Sequence, residues 1–193
     1  MIDYIKGEII ELSPAHAVLE AGGIGYHINI ALSTYSELNG KNNTKLYVYE
    51  AIREDAHILF GFMTKEERSL FLLLISVSGV GANTARMILS SIMANELQNA
   101  IITGNVSILK SIKGIGAKTA ERIIVDLKDK VSKVEFSAQG IPTASTSISE
   151  EAVAALVMLG FTQAMAQKAV KKVMDSDPHQ KIEQIVKQAL KLL

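Results

Sequence analysis

Several residue types are absent or scarce in this chain of 193 residues, and each scarcity excludes a class of protein. There is no cysteine, which excludes disulfides, iron–sulfur clusters and cysteine nucleophiles and is typical of the reducing cytoplasm. There is no tryptophan, and aromatic residues make up only 5%, which disfavours a protein that stacks single-stranded bases. No apolar run approaches the roughly 18 residues that a membrane span needs. We therefore expect a cytoplasmic protein with no signal peptide and no membrane partner.

Formal charges balance over the chain, with 20 basic and 20 acidic residues, but they are unevenly distributed. Residues 1–64 carry four basic and eight acidic groups, whereas residues 65–133 carry ten basic and six acidic groups. Residues 134–193 carry six of each. Because basic segments attract nucleic acids, this distribution favours a nucleic-acid site in the middle of the chain.

Residues 1–64 show the alternating apolar pattern of short β-strands separated by turn residues such as Gly22-Gly23 and Asn39-Gly40. A single helical turn is expected at Ser33–Leu38. Five strands with a short helical interlude fit an oligonucleotide-binding (OB) barrel, and other small barrels fit nearly as well. The candidate strands are Ile2–Leu12, Ala17–Ala21, Tyr26–Ile30, Leu46–Ile52 and Ile58–Phe62.

Residues 65–133 are predicted to form an all-helical domain. Thr64 and Glu67 make a Thr-x-x-Glu capping box just before the apolar run Leu70–Ile75, which predicts a helix start. Further helices are predicted at about 81–92, 94–103, 105–112 and 116–131.

The remainder of the chain is predicted to be a flexible linker followed by a small three-helix module. Residues 134–148 are rich in Ser, Thr, Gly, Ala and Pro, which is typical of a linker. Residues 149–193 are expected to form the module. Ser147 and Glu150 supply a second capping box at its start, Gly160 is expected to end the first helix, and Asp177-Pro178 is expected to begin the third.

An internal repeat lies in the basic middle segment. Val77–Ala85 (VSGVGANTA) matches Ile112–Ala120 (IKGIGAKTA) at an offset of 35 residues. Each copy predicts helix, apolar-Gly-apolar-Gly turn and helix, in which the glycines allow a tight turn and close approach to another surface. A single copy would fit an ordinary helix–helix turn equally well, but two copies with the same continuation favour a paired binding module.

The pattern is similar to the helix-hairpin-helix motif, and two copies predict a double helix-hairpin-helix DNA-binding domain. Unpaired backbone N–H groups at the start of each second helix favour binding of a phosphate, which positions DNA without reading its bases. The candidate DNA-binding residues are Gly79, Val80, Gly81, Asn83, Thr84 and Arg86 in the first copy and Gly114, Ile115, Gly116, Lys118, Thr119 and Arg122 in the second.

Taken together, these motifs make the whole chain resemble the RuvA family, bacterial proteins that bind Holliday junctions during branch migration. The stretches that carry the resemblance beyond the hairpins are Gly22–Tyr26, Arg53–Asp55, Leu59–Phe62, Lys118–Arg122, Glu151–Leu156 and Leu159–Phe161. The resemblance implies an α+β multidomain chain: an OB-fold β-barrel at 1–64, an all-α double helix-hairpin-helix domain at 65–133 and a mobile three-helix UBA-like module at 149–193.

The resemblance also implies a function and a set of partners. The chain would bind four-way (Holliday) junction DNA without sequence preference, in recombination and repair, as a homotetramer or two stacked tetramers. It would recruit the RuvB motor, with the RuvC resolvase in the wider complex. Because ATP hydrolysis would reside in RuvB, the chain itself is not expected to be an enzyme.

Further residue roles follow from the resemblance alone. Glu54 and Asp55, which unaided predict a solvated turn, would form an acidic pin at the junction centre. Leu156, Leu159 and Phe161, whose spacing fits a helical core equally well, would contact the motor. Asn83 stands where the second hairpin has Lys118, so the first hairpin is expected to bind more weakly unless Arg86 compensates.

Two other function classes remain open from the residues. A helix-hairpin-helix glycosylase or nuclease would need a catalytic aspartate soon after a hairpin, and Asp126 has that position, although its charged neighbours indicate a solvated helix face. A general duplex-binding adaptor would bind branched and linear DNA equally. No Gly-x-x-x-x-Gly-Lys-Ser/Thr loop is present, and the scattered histidines (His16, His27, His57 and His179) indicate no metal site. We expect no cofactor.

Overall fold

The computed structural model describes residues 1–132, 134, 144–176 and 180–193. These fall into two compact units, residues 1–136 and residues 137–193. No predicted strand or helix crosses the boundary between the two units.

The first unit begins with five strands that close into a barrel in the order β1-β2-β3-β5-β4. β3 and β5 pair in parallel, and the other neighbours pair antiparallel. Helix α1 connects β3 to β4. This strand order with a helix at that connection is the OB fold, so the sequence-based prediction is confirmed. The elements are β1 (Tyr4–Leu12), β2 (His16–Ala21), β3 (Ile24–Ile30), α1 (Leu32–Leu38), β4 (Asn43–Ile52) and β5 (His57–Phe62).

The barrel interior is filled by apolar side chains that alternate along the strands with exposed ones. Two glycines leave room for this packing. A side chain at Gly61 would press on Ile28 and Leu46 inside the barrel, and one at Gly7 would overlap the backbone carbonyl of Glu20 in β2. β1 can therefore pair with both β2 and β4 only because residue 7 has no side chain.

Replacing Gly7 by alanine is expected to lower the free energy of unfolding by about 3 kcal/mol, because backbone atoms must move to admit the methyl group. Urea unfolding of the purified variant measures this loss. Gly25→Ala is the matched control, since a methyl group there would meet Val18 Cγ1 at an ordinary 3.5 Å. Equal stability of the Gly7 and Gly25 variants would contradict the close approach of β1 and β2.

Five helices complete the first unit: α2 (Lys65–Ile75), α3 (Ala82–Ser91), α4 (Ala94–Ile102), α5 (Val106–Lys110) and α6 (Ala117–Val131). The Thr64 hydroxyl accepts a hydrogen bond from the Glu67 N–H at 3.1 Å, as the capping box predicts. The Glu67 carboxylate accepts a hydrogen bond from the Met63 N–H at 3.0 Å. Burial raises the pKa of this carboxyl above its ordinary value.

One apolar core joins the barrel to these helices. Phe71 of α2 packs against Phe60 and Phe62 of β5, with ring centroids 5.4 and 4.9 Å apart. Because all three rings belong to the same buried cluster, the barrel and the helices form a single body in which their surfaces hold fixed positions.

The second unit consists of α7 (Ala144–Met158), α8 (Gln163–Ser176) and α9 (Ile182–Ala189) around its own small core. Gly160, at φ +102°, ends α7 as predicted, and the Phe161 N–H donates to the Leu156 carbonyl. α7 begins at Ala144, within the predicted linker, so Ser147 lies inside the helix and is not its cap. The rest of that linker, 135–143, and the proposed Asp177-Pro178 cap lie outside the described residues.

Candidate nucleic-acid interface

The two copies of the repeat form two hairpins with nearly the same backbone geometry. Gly79 and Gly114 have φ angles of +91° and +89°, values that side chains rarely adopt. The residue after each glycine donates its N–H across the turn at 3.0 Å, Val80 to Val77 and Ile115 to Ile112. The glycines that the motif predicted therefore make equivalent turns in both copies.

The two apolar residues that were predicted as DNA contacts within the turns have side chains that face inward. Val80 and Ile115 are only 4% and 6% exposed and belong to the apolar core. Their N–H groups are also engaged in the turns. These two side chains anchor the hairpins, and the surface that remains for a ligand is the start of the following helix.

Each hairpin presents an open helix N-terminus. Gly81 caps α3 and Gly116 caps α6, both with extended backbone, and neither supplies a side-chain cap. The first N–H groups of an α-helix have no partner within the helix, so they and the helix dipole favour an anion here. Nothing lies within 4 Å of the place where a side chain at Gly81 or Gly116 would begin. No contact within the part of the chain that the structure describes thus requires glycine at these caps.

The second hairpin carries the positive charge of the interface. Lys118 and Arg122 are exposed and lie one turn apart on α6, so they share a face. Together with Thr119, and with Ser78 and Gly79 of the first hairpin, they line a groove of about 580 Å³. The structure therefore brings the two hairpins to one surface.

Acidic side chains border the same groove. Glu121 and Asp126 line it and are exposed. The position of Asp126 on this open surface does not provide the enclosed pocket that a base-flipping glycosylase needs.

The first hairpin contributes less charge. Asn83 is exposed and Thr84 half-buried at the second and third positions of α3. Arg86, predicted as a DNA-binding residue that could compensate for the missing lysine, is half-buried, and part of its guanidinium group is engaged by the barrel. Its Nη1 donates to the carbonyls of Ala15 and Ile30 in the barrel, at 3.1 and 3.2 Å.

Glu54 and Asp55 lie at the tip of the β4–β5 hairpin. The strands remain paired up to Ile52 and His57, and the Arg53 N–H donates to Ala56 to close the turn. Both acidic side chains are exposed. Neither forms an ion pair with any residue that the structure describes.

The three predicted motor-contacting residues separate into a core and a surface group. Leu156 is fully buried in the core of the second unit, where its side chain stabilises the three-helix packing. Phe161 is half-buried against that core, and Leu159 is 61% exposed. Sequence reasoning missed Met158, which is 90% exposed and lines a groove of about 560 Å³ with Val153 and Val157.

Within the described ranges, no group of three or more metal-ligating side chains is placed to hold an ion. The His16 Nε2 atom lies 2.9 Å from Glu11 Oε1, and the His57 Nε2 atom lies 3.5 Å from Glu50 Oε1. His179 lies outside the described residues. None of the described helices is long and apolar enough to cross a membrane.

An OB barrel fused to paired hairpins with open helix N-termini defines a helix-hairpin-helix DNA-binding protein. Family models match in the same order: the RuvA N terminal domain at residues 1–61, a SAM-like helix-hairpin-helix tandem at 71–129 and the RuvA C-terminal domain at 147–193. The chain belongs to the RuvA family.

Curated relatives are similar over their whole length. Proteins of Bacteroides fragilis, Parabacteroides distasonis and Porphyromonas gingivalis are 54%, 57% and 47% identical to this chain, and each alignment covers 100% of both sequences. Each of these relatives bears the name Holliday junction branch migration complex subunit RuvA.

Proposed function

We propose that this chain is the DNA-binding subunit of a branch-migration complex, that it binds four-way junctions without reading base sequence, and that it catalyses no reaction by itself. The observation that carries the proposal is the pair of equivalent hairpins, each with an open helix N-terminus and a glycine cap that no contact among the described residues requires. A DNA backbone that approaches these caps closely would require glycine, because any side chain there would hold the DNA away. The names of the full-length relatives support the same function.

Each open helix N-terminus forms a cradle for phosphate: the first cradle is the start of α3 with Asn83 and Thr84, and the second is the start of α6 with Lys118, Thr119 and Arg122. The chemistry of the two cradles suits branch migration. Backbone N–H groups, the threonine hydroxyls and the two cations bind phosphate, which every nucleotide presents. Base edges in the grooves differ between sequences, so a protein that reads them would hold the junction at one position. A holder that contacts only phosphate lets base pairs exchange beneath it.

The two cradles differ in strength under this proposal. Lys118 and Arg122 supply two positive charges at the second cradle, whereas Asn83 supplies only hydrogen-bonding groups at the first. We expect the second hairpin to provide most of the salt-dependent affinity.

We further propose that four copies surround the junction, with one double hairpin for each arm, because cyclic assemblies repeat one surface around an axis. Glu54 and Asp55 would then lie near the centre, where their charge repels phosphates and keeps the strands apart. The exposed Met158 and Leu159 would receive the RuvB motor, with RuvC in the wider complex. The site of action is the cytoplasm, where bacterial chromosomal DNA lies.

A gel-shift titration at one fixed salt concentration tests the proposal. A synthetic four-way junction is compared with linear duplex of the same sequence and length. We expect the junction to bind at least about 100-fold more tightly, since several cradles engage it together. Glu54→Gln with Asp55→Asn, in one protein, should reduce the preference for the junction and leave duplex binding intact. Equal binding of both DNAs by the wild type would instead identify a general duplex-binding adaptor.

A further inference from the structure

Arg86 lies on α3, five residues after its N-cap Gly81, yet its side chain points toward the barrel. One guanidinium nitrogen donates to the Ala15 carbonyl before β2 and to the Ile30 carbonyl at the end of β3. The Ile30 N–H donates to the same Ala15 carbonyl at 3.1 Å. Arg86 thereby joins three segments: α3, the β1–β2 connection and the end of β3.

Two serines add to this attachment. The Ser90 hydroxyl accepts from the Leu32 N–H at the start of α1 and donates to the Arg86 carbonyl. The Ser33 hydroxyl donates to the Leu89 carbonyl. The helix that begins at the first cradle is therefore held to the barrel by polar contacts along its second half.

The part of the barrel that Arg86 holds is directly connected to the acidic hairpin tip. Ile30 pairs with Gly61 of β5, and β5 pairs with β4 through to Ile52 and His57, next to Glu54 and Asp55. Strand β5 thus runs from the pairing with the strand end that Arg86 holds to the turn that carries the carboxylates. The distance between the first cradle and the carboxylates therefore depends on how α3 packs on the barrel, and the contacts of Arg86 and Ser90 contribute to that packing.

We propose that Arg86 is a positioning residue that fixes the first hairpin relative to Glu54 and Asp55 and so determines the preference for a junction over linear duplex. The inference rests on the function proposed above. A linear duplex needs only the cradles, which Arg86 does not touch. A junction must engage the cradles on an arm and the carboxylates at its centre simultaneously, so it depends on their separation.

Arg86→Met tests this role, because methionine fills similar space and cannot donate to either carbonyl. We expect duplex affinity to stay within about twofold of wild type and junction affinity to fall about 10-fold at the same salt concentration. Arg86→Lys, which can still donate to one carbonyl, should recover part of the junction affinity. Ser90→Ala should change the ratio of the two affinities in the same direction by less, and it decides the question if Arg86→Met does not fold.

Other results would overturn the role of Arg86 alone or the proposed function together with it. Equal loss of junction and duplex affinity in Arg86→Met, with a salt dependence weaker by about one phosphate contact, would show that Arg86 contacts DNA and overturn the inference. An unchanged affinity ratio in folded Arg86→Met and Ser90→Ala proteins would overturn it as well. A wild-type protein without junction preference would refute the proposed function and this inference with it.

Discussion

Replacing Gly81 and Gly116 together by serine is expected to lower junction affinity about 100-fold while the free energy of unfolding stays at or slightly above that of the wild type. Serine is a better helix N-cap than glycine, so we expect the two substitutions not to destabilise the fold. Its hydroxyl, however, would accept the N–H groups that we assign to phosphate, and its bulk would hold the DNA backbone away. Each hydrogen bond to a charged group contributes about 1.5–3 kcal/mol, so losing one per cradle costs at least about 3 kcal/mol, and that lower bound corresponds to the roughly 100-fold loss.

Gel shifts with the four-way junction, paired with urea unfolding, measure both quantities. Met93→Ser is the matched control: Met93 is exposed and caps α4, which follows no hairpin, and it too makes no side-chain cap bond. That variant should be at least as stable as the wild type and keep full affinity. Wild-type affinity in the double glycine variant would mean that DNA does not approach these two helix N-termini.

Local signals in the sequence were sufficient for the hairpins themselves. The spacing of glycines predicted turns at Gly79 and Gly114, and both have the positive φ that explains the residue type. The direction of the intervening side chains was not predictable in this way. The sequence pattern is the same whether Val80 and Ile115 point into the core or toward a ligand. Only the packing of the whole domain shows that they face the core.

Long-range partners explain why the direction of two other side chains was not predictable either. A basic residue beside a phosphate-binding hairpin predicts a DNA contact, but Arg86 finds its acceptors at Ala15 and Ile30, more than 50 positions earlier in the chain. In α7, apolar residues occur on every side of the helix, so periodicity could not separate buried Leu156 from exposed Met158. Such assignments depend on which neighbouring helix covers each face.

Replacing Met158 and Leu159 together by aspartate is expected to abolish recruitment of the RuvB motor, with a loss of at least about 100-fold in affinity. Both side chains are largely exposed, so the charges cost the free protein little. In an apolar interface the same carboxylates would be buried without partners, at a cost of several kcal/mol. Junction binding should be unchanged, because the cradles lie in the other unit.

Stimulation of the motor's ATPase by the junction-bound protein measures recruitment. Two further variants of the second unit serve as controls, one for added surface charge and one for loss of folding. Leu192→Asp places a charge on another exposed leucine and should leave stimulation intact. Leu156→Asp should also abolish stimulation, but by unfolding the three-helix core, which circular dichroism detects. If the double variant stays folded and stimulates like the wild type, the motor binds elsewhere. If it fails while folded, the exposed end of α7 is the contact, since loss of stability can no longer explain the defect.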